Sequence, residues 1–156
     1  MKPNLAILCL LILLAPHGSP GADTPVSKSS SPPMRKLVIE PSSTSLAGGK
    51  AKLITSTLVR RAETYAGNYQ LKVSPFFFKS EKGTLSMTVS DQSLRRLTEG
   101  ITVDFSGQAI SGGNGKKRPI QARATPSAKD RGALTFSVPT ENGKLVFNTS
   151  YRFSND

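Results

Sequence analysis

From Leu37 onward, apolar residues recur at every second position, in short runs of Val, Ile, Thr and Phe broken by Gly, Asn and Pro. A two-residue period places successive side chains on opposite faces of an extended backbone, so each run has one face to bury and one to wet. That is the signature of strands in an all-β fold. No internal repeat is present and no long helical period competes with the alternation. The runs predict strands at about 36–40, 51–65, 69–79, 84–90, 101–110, 117–125, 132–139 and 144–153. Eight mostly antiparallel strands form a barrel or a sandwich, and a closed or half-closed barrel is the preferred expectation.

One segment departs from the pattern. In Asp91–Gly100 the aspartate can cap a helix, Leu94 and Leu97 fall on one face, and the glycine suits the position after the last turn. A short helix near 91–98 would plug one end of a barrel or cover a gap between sheets.

Turn chemistry fixes some of the pairing. Asn142-Gly143 suits a type I′ hairpin, with Glu141 paired to Lys144, Val138 opposite Phe147, Phe136 opposite Thr149 and Leu134 opposite Tyr151. A second hairpin turns at Gly112-Gly113-Asn114-Gly115. Its register sets Asp104 against Arg123, and it turns Ile101, Val103, Phe105, Gly107 and Ala109 inward. A bulge at Ser74-Pro75 would bring Phe76 and Phe78 to the same core face as Tyr69, Leu71 and Val73. Phe77 then points outward, either under a second layer or as an exposed anchor.

The N-terminus reads as an export signal. Lys2 precedes an unbroken apolar run from Leu5 to Leu14, closed by Ala15-Pro16, too short for the roughly 20 residues a membrane span needs. The expected organisation is a signal peptide at 1–22, a flexible Ser/Pro-rich tether at 23–36 and a single β-domain at 37–156. The expected location is periplasmic or extracellular. Asn148-Thr149-Ser150 is a glycosylation acceptor if the source is eukaryotic.

Removing residues 1–22 removes Cys9 and His17, the only cysteine and histidine, and the chain has no tryptophan. Disulfides, histidine acid–base work, Ser-His and Cys-His nucleophiles, and thiolate or imidazole zinc sites are therefore excluded from the mature chain. No Ser-x-x-Lys or Gly-x-Ser-x-Gly arrangement occurs, and the run 112–117 lacks the spacing of a phosphate loop. Paired carboxylates remain, but the acids are scattered: Glu40, Glu81 and Glu141 at strand ends and turns, Asp91 as a cap, Asp104 facing Arg123. None is expected on an inward face. A non-catalytic protein without cofactor or metal is expected, with a carboxylate-based hydrolase as the third choice.

Charge points to a partner. The chain carries 21 Lys and Arg against 10 Asp and Glu, a net +11, or +10 without Lys2. Cations cluster at Arg60-Arg61, at Arg95-Arg96 and at Lys116-Lys117-Arg118, with Arg123, Lys129 and Arg131 nearby. If the helix and the glycine-rich hairpin share one end of the barrel, Arg95, Arg96, Lys116, Lys117 and Arg118 form a candidate anion-binding rim. The first expected function is binding of an anionic envelope component, either a lipid headgroup or an acidic polymer. Nucleic acid is disfavoured, because aromatics are not interleaved with the cations. The second reading is a β-barrel carrier of a small apolar ligand. Gly107, Ala109, Ala122 and Ala124 leave interior room, which either Leu94 and Leu97 or a ligand would fill.

Overall fold

The computed structural model describes residues 34–140 and 143–155. The expected signal peptide and the part of the expected tether up to residue 33 lie outside the described residues, as do Glu141 and Asn142 of the expected last turn. Ten strand segments, β1 (Lys36–Ile39), β2 (Ser42–Leu46), β3 (Gly49–Thr55), β4 (Leu58–Arg61), β5 (Thr64–Ser74), β6 (Glu81–Thr88), β7 (Val103–Ser111), β8 (Lys117–Ala128), β9 (Arg131–Thr140) and β10 (Gly143–Ser154), form one sheet. One α-helix is present among the described residues, α1 (Asp91–Thr98), between β6 and β7.

The ten segments make eight barrel strands. Segments β1 and β2 are halves of one strand interrupted at Glu40-Pro41, where proline has no N–H to give a ladder. Their partners β4 and β3 are likewise one strand broken at Ser56-Thr57, and Lys36↔Val59 and Ser42↔Leu53 keep one register across both breaks. Both β3 and β4 pair with the long β5, which pairs on its other side with β6. Antiparallel pairing then runs through β7, β8, β9 and β10, and β10 returns to β1 with Lys36↔Ser154 and Ile39↔Tyr151. Past the end of β1, the Glu40 amide donates to the Ser150 carbonyl at 3.1 Å and the Ser42 hydroxyl donates to the Asn148 carbonyl at 2.8 Å. The result is a closed, eight-stranded, up-and-down barrel that leaves no open sheet edge.

Alternation fills the interior with Leu37, Leu58, Tyr65, Leu85, Met87, Leu134, Phe136 and Phe147, all at most 2% exposed. Helix α1 closes one end, where Leu94 and Leu97 are fully buried in the same cluster as Ala122 and Ala124. The small residues of β8 thus make room for the helix. Ser90 caps α1, its hydroxyl accepting from the Ser93 amide at 3.1 Å, so the expected cap at Asp91 is off by one. Asp91 instead receives Arg60 at 2.6 Å.

Several expected boundaries shift. The fold begins inside the expected tether: Met34 is buried, its carbonyl accepts from the Tyr65 hydroxyl at 2.6 Å, and Lys36 opens β1. The expected strand 51–65 is divided by a turn at Ala62-Glu63, which contains neither Gly nor Asn; Ala62 itself takes a φ of 53°. The bulge expected at Ser74-Pro75 is absent, because β5 ends at Ser74 and a 3₁₀ turn follows at Phe77–Lys79. Phe76 packs partly against the core, whereas Phe77 and Phe78 are exposed.

The last hairpin keeps the expected faces with a register displaced by two residues, Phe136 facing Phe147 and Leu134 facing Thr149. Thr140 pairs with Gly143, whose φ of 121° only glycine adopts without strain. Asp104↔Arg123 pair as expected, with two hydrogen bonds of 2.6 and 2.9 Å.

Candidate functional site

The end of the barrel opposite α1 is open. There the β2–β3, β5–β6 and β7–β8 connections and the facing ends of β9 and β10 surround a cavity of about 1410 Å³. Sites for drug-sized ligands are commonly about 300–1,000 Å³, so this one has room for a large guest. Leu85, Ile120, Phe136 and Phe147, each at most 5% exposed, form its apolar floor. Nearer the mouth stand Leu46, Leu53, Leu71, Phe76, Val138 and Leu145, which pack on the core but stay partly exposed.

A polar cluster interrupts this apolar wall. The Tyr69 hydroxyl on β5 donates to Glu81 Oε1 on β6 at 2.7 Å, and Arg118 Nη1 on β8 reaches the same oxygen at 2.5 Å. Strand β7 lies between β6 and β8 and contributes only Ala109 and Ser111 there, so the guanidinium can span it. Tyr69 is held over Gly83, its cross-strand partner: a Cβ on that glycine would fall 2.8 Å from the tyrosine ring and 2.0 Å from the Ile110 carbonyl oxygen. Burial first, and the Glu81 contact second, push the Tyr69 phenol well above its ordinary pKa. It is a fixed hydrogen-bond donor at neutral pH.

Around the mouth the charge is one-sided. Lys79, Lys82, Lys116, Lys117, Arg118 and Lys144 line the cavity, against Glu81 as the one acid among the described lining residues. Glu81 is therefore an inward carboxylate, contrary to the expectation that no acid faces inward. Among the described lining residues no second carboxylate accompanies it. Among the described residues, no group of three or more His, Cys, Asp or Glu could hold a metal ion, and no helix is long and apolar enough to cross a membrane.

The expected five-residue rim divides in two. Lys116, Lys117 and Arg118 line the cavity, whereas Arg95 and Arg96 stand exposed in the last turn of α1 at the far end. The two clusters do not merge, because the helix and the hairpin join opposite ends of β7. Comparisons with family models, curated proteins and solved structures gave no match. The site is therefore read from its own geometry.

Tyr69, Glu81, Lys79, Lys82 and Lys144 were not among the candidate binding residues expected from the sequence, which placed Tyr69 in the core, Glu81 in a turn and Lys144 opposite Glu141. For Glu81 a signal existed: Leu85, Gly83 and Glu81 share one face at period two once the strand is carried back through the glycine.

Proposed function

We propose that the protein is an exported, non-catalytic binding protein that takes the apolar chain of an amphipathic anion into the barrel and holds the charged head at the lysine-rich mouth. This joins the two expected ligand classes in one molecule and puts the lumen ahead of a purely superficial anion site. The carrying observation is the gradient along one cavity, apolar at depth and cationic at the rim. Each CH₂ moved from water into such a lumen contributes about 0.8 kcal/mol, so chain length sets affinity. Arg118 is already matched by Glu81, which leaves attraction of the head chiefly to the surrounding lysines.

The test is calorimetric titration of the protein with hexadecanoate, decanoate and hexadecyltrimethylammonium below their micelle concentrations. Hexadecanoate is expected to bind one to one and more tightly than decanoate, with the cationic analogue weaker by more than tenfold. Ala109→Trp, which fills the lumen, is expected to abolish binding while the circular dichroism spectrum is retained. Equal binding of both head charges, or undiminished binding by a folded Ala109→Trp protein, would overturn the proposal.

A further inference from the structure

The tip of the β5–β6 hairpin carries two phenylalanines that the fold leaves exposed. Phe77 and Phe78 are 77% and 81% exposed, while the other exposed large apolar residues, Val59, Ile101 and Val146, lie between 36% and 47%. Consecutive Phe side chains in water at this level are unfavourable unless something covers them. Both belong to the 3₁₀ turn at the cavity mouth; Phe78 lines the cavity and Phe77 does not. Lys79 of the same turn lies over the Phe76 and Phe78 rings, at 5.3 and 6.0 Å from their centroids.

We infer that this end of the barrel docks mouth-first on an anionic phospholipid bilayer, with Phe77 and Phe78 entering the headgroup region and the surrounding lysines meeting lipid phosphates. Charge complementarity selects an anionic partner, since five lysines and the Glu81–Arg118 ion pair are the charged groups lining the mouth among the described residues. The exposed aromatics select a bilayer over an acidic polymer, because only a bilayer offers an apolar phase beside its negative charge. Aromatic rings and basic residues at one level are the chemistry of a membrane interface. The far end is different in kind: Asp91 of α1 and Glu99, just past its end, stand with Arg95 and Arg96. Nine residues of β7 separate the two ends by about 25–30 Å, well beyond the roughly 10 Å over which 0.1 M salt screens charge. Docking in this way would present the mouth to the lipid phase, but the inference does not rest on the barrel carrying a ligand.

The experiment is co-sedimentation of the protein with phosphatidylcholine vesicles, pure or mixed with phosphatidylglycerol. Binding is expected only to the mixed vesicles. Phe77→Ser is expected to weaken it by about tenfold or more, the lower bound for burying a phenyl ring. Changing Lys82 and Lys117 to Gln is expected to cost about fivefold for each lysine. Changing Arg95 and Arg96 to Gln removes the same charge from the far end and is expected to stay within about twofold of wild type. Equal losses from the two charge-matched pairs, wild-type binding by Phe77→Ser, or preference for soluble dextran sulfate over the vesicles would overturn the inference. Hexadecanoate titration of Phe77→Ser without vesicles keeps the two proposals apart, because that variant retains an intact lumen.

Discussion

Replacing Glu81 with Gln should make the protein less stable and at the same time a better binder of anions. Glu81 and Arg118 have side chains 19% and 24% exposed, between a surface pair and a buried one. Surface pairs contribute about 0–1 kcal/mol, and breaking a buried pair costs about 3–5 kcal/mol, so the expected loss here is about 1–3 kcal/mol. A fold of about 120 residues has an unfolding entropy near 0.25 kcal/mol per kelvin, which makes each kcal/mol worth about 4 °C. The melting temperature should therefore drop by about 4–12 °C in calorimetry or circular dichroism. The guanidinium left behind is free to receive an anionic head, and a hydrogen bond to a charged group contributes about 1.5–3 kcal/mol, or at least tenfold in affinity. Arg118→Gln should be destabilised to a similar extent, because it strands Glu81, yet it should bind hexadecanoate more weakly than wild type. The informative result is this divergence in affinity at similar loss of stability. If both variants lose affinity together, the pair maintains the cavity's shape and does not set its charge.

Two further outcomes are expected. All three tyrosines of the chain are buried, and burial pushes Tyr65 and Tyr151 up to about 12 and Tyr69 higher still. Because the folded values lie above the unfolded value of about 10, their contribution to stability is complete below pH 10 and is lost as pH rises toward 12. Tyrosinate absorbance should then appear only together with unfolding, and a tyrosine ionising near pH 10 in the folded protein would contradict its burial. Gly143→Val should cost more than about 1 kcal/mol through backbone strain alone, since its φ is 121° and a Cβ there would meet nothing within 4 Å. Gly113→Val, at an equally open position without that φ, is the control; equal denaturation midpoints for the two would remove the backbone argument.

Where a strand ended in a glycine-rich turn or carried a charge pair, the fold was legible in the chain. The Gly112–Gly115 hairpin and the Asp104–Arg123 pairing followed from turn chemistry and parity. The break at Ala62-Glu63 was not legible, because Arg61-Ala62-Glu63-Thr64 contains none of the residues that mark a turn. For Phe76 and Phe78 the parity argument rested on a bulge at Ser74-Pro75, yet the chain leaves the barrel at Pro75 and only Phe76 folds back, while Phe77 points outward, one of its two expected fates. The opposite placement of Arg95-Arg96 and Lys116-Lys117-Arg118 was implied in the chain. One strand lies between the helix and the hairpin, and a single extended strand must carry the chain from one end of a barrel to the other. The Tyr69–Glu81–Arg118 cluster required knowing that β7 presents small residues between its neighbours, which no local pattern reveals.

The two ends of the barrel differ in how completely they are packed, and that difference separates stability from binding. At the closed end Leu94 is 0% exposed and Leu97 1%, whereas all six partly buried apolar residues that pack on the core line the open cavity. Burial still to be gained is therefore concentrated at the mouth. Leu94→Ala should remove a buried side chain at a cost of about 2–5 kcal/mol, against a total stability of about 6–18 kcal/mol for a domain this long. The variant should stay folded and melt about 8–20 °C lower. Its affinity for hexadecanoate should remain within about twofold of wild type, because the length of β7 lies between the helix and the mouth. Saturating ligand should raise the melting temperature of both proteins by the same free energy, about 2.7 kcal/mol at one hundred times Kd. A Leu94→Ala protein that melts lower and also binds several-fold more weakly would mean that the helix plug shapes the cavity, and that the two ends are one cooperative unit.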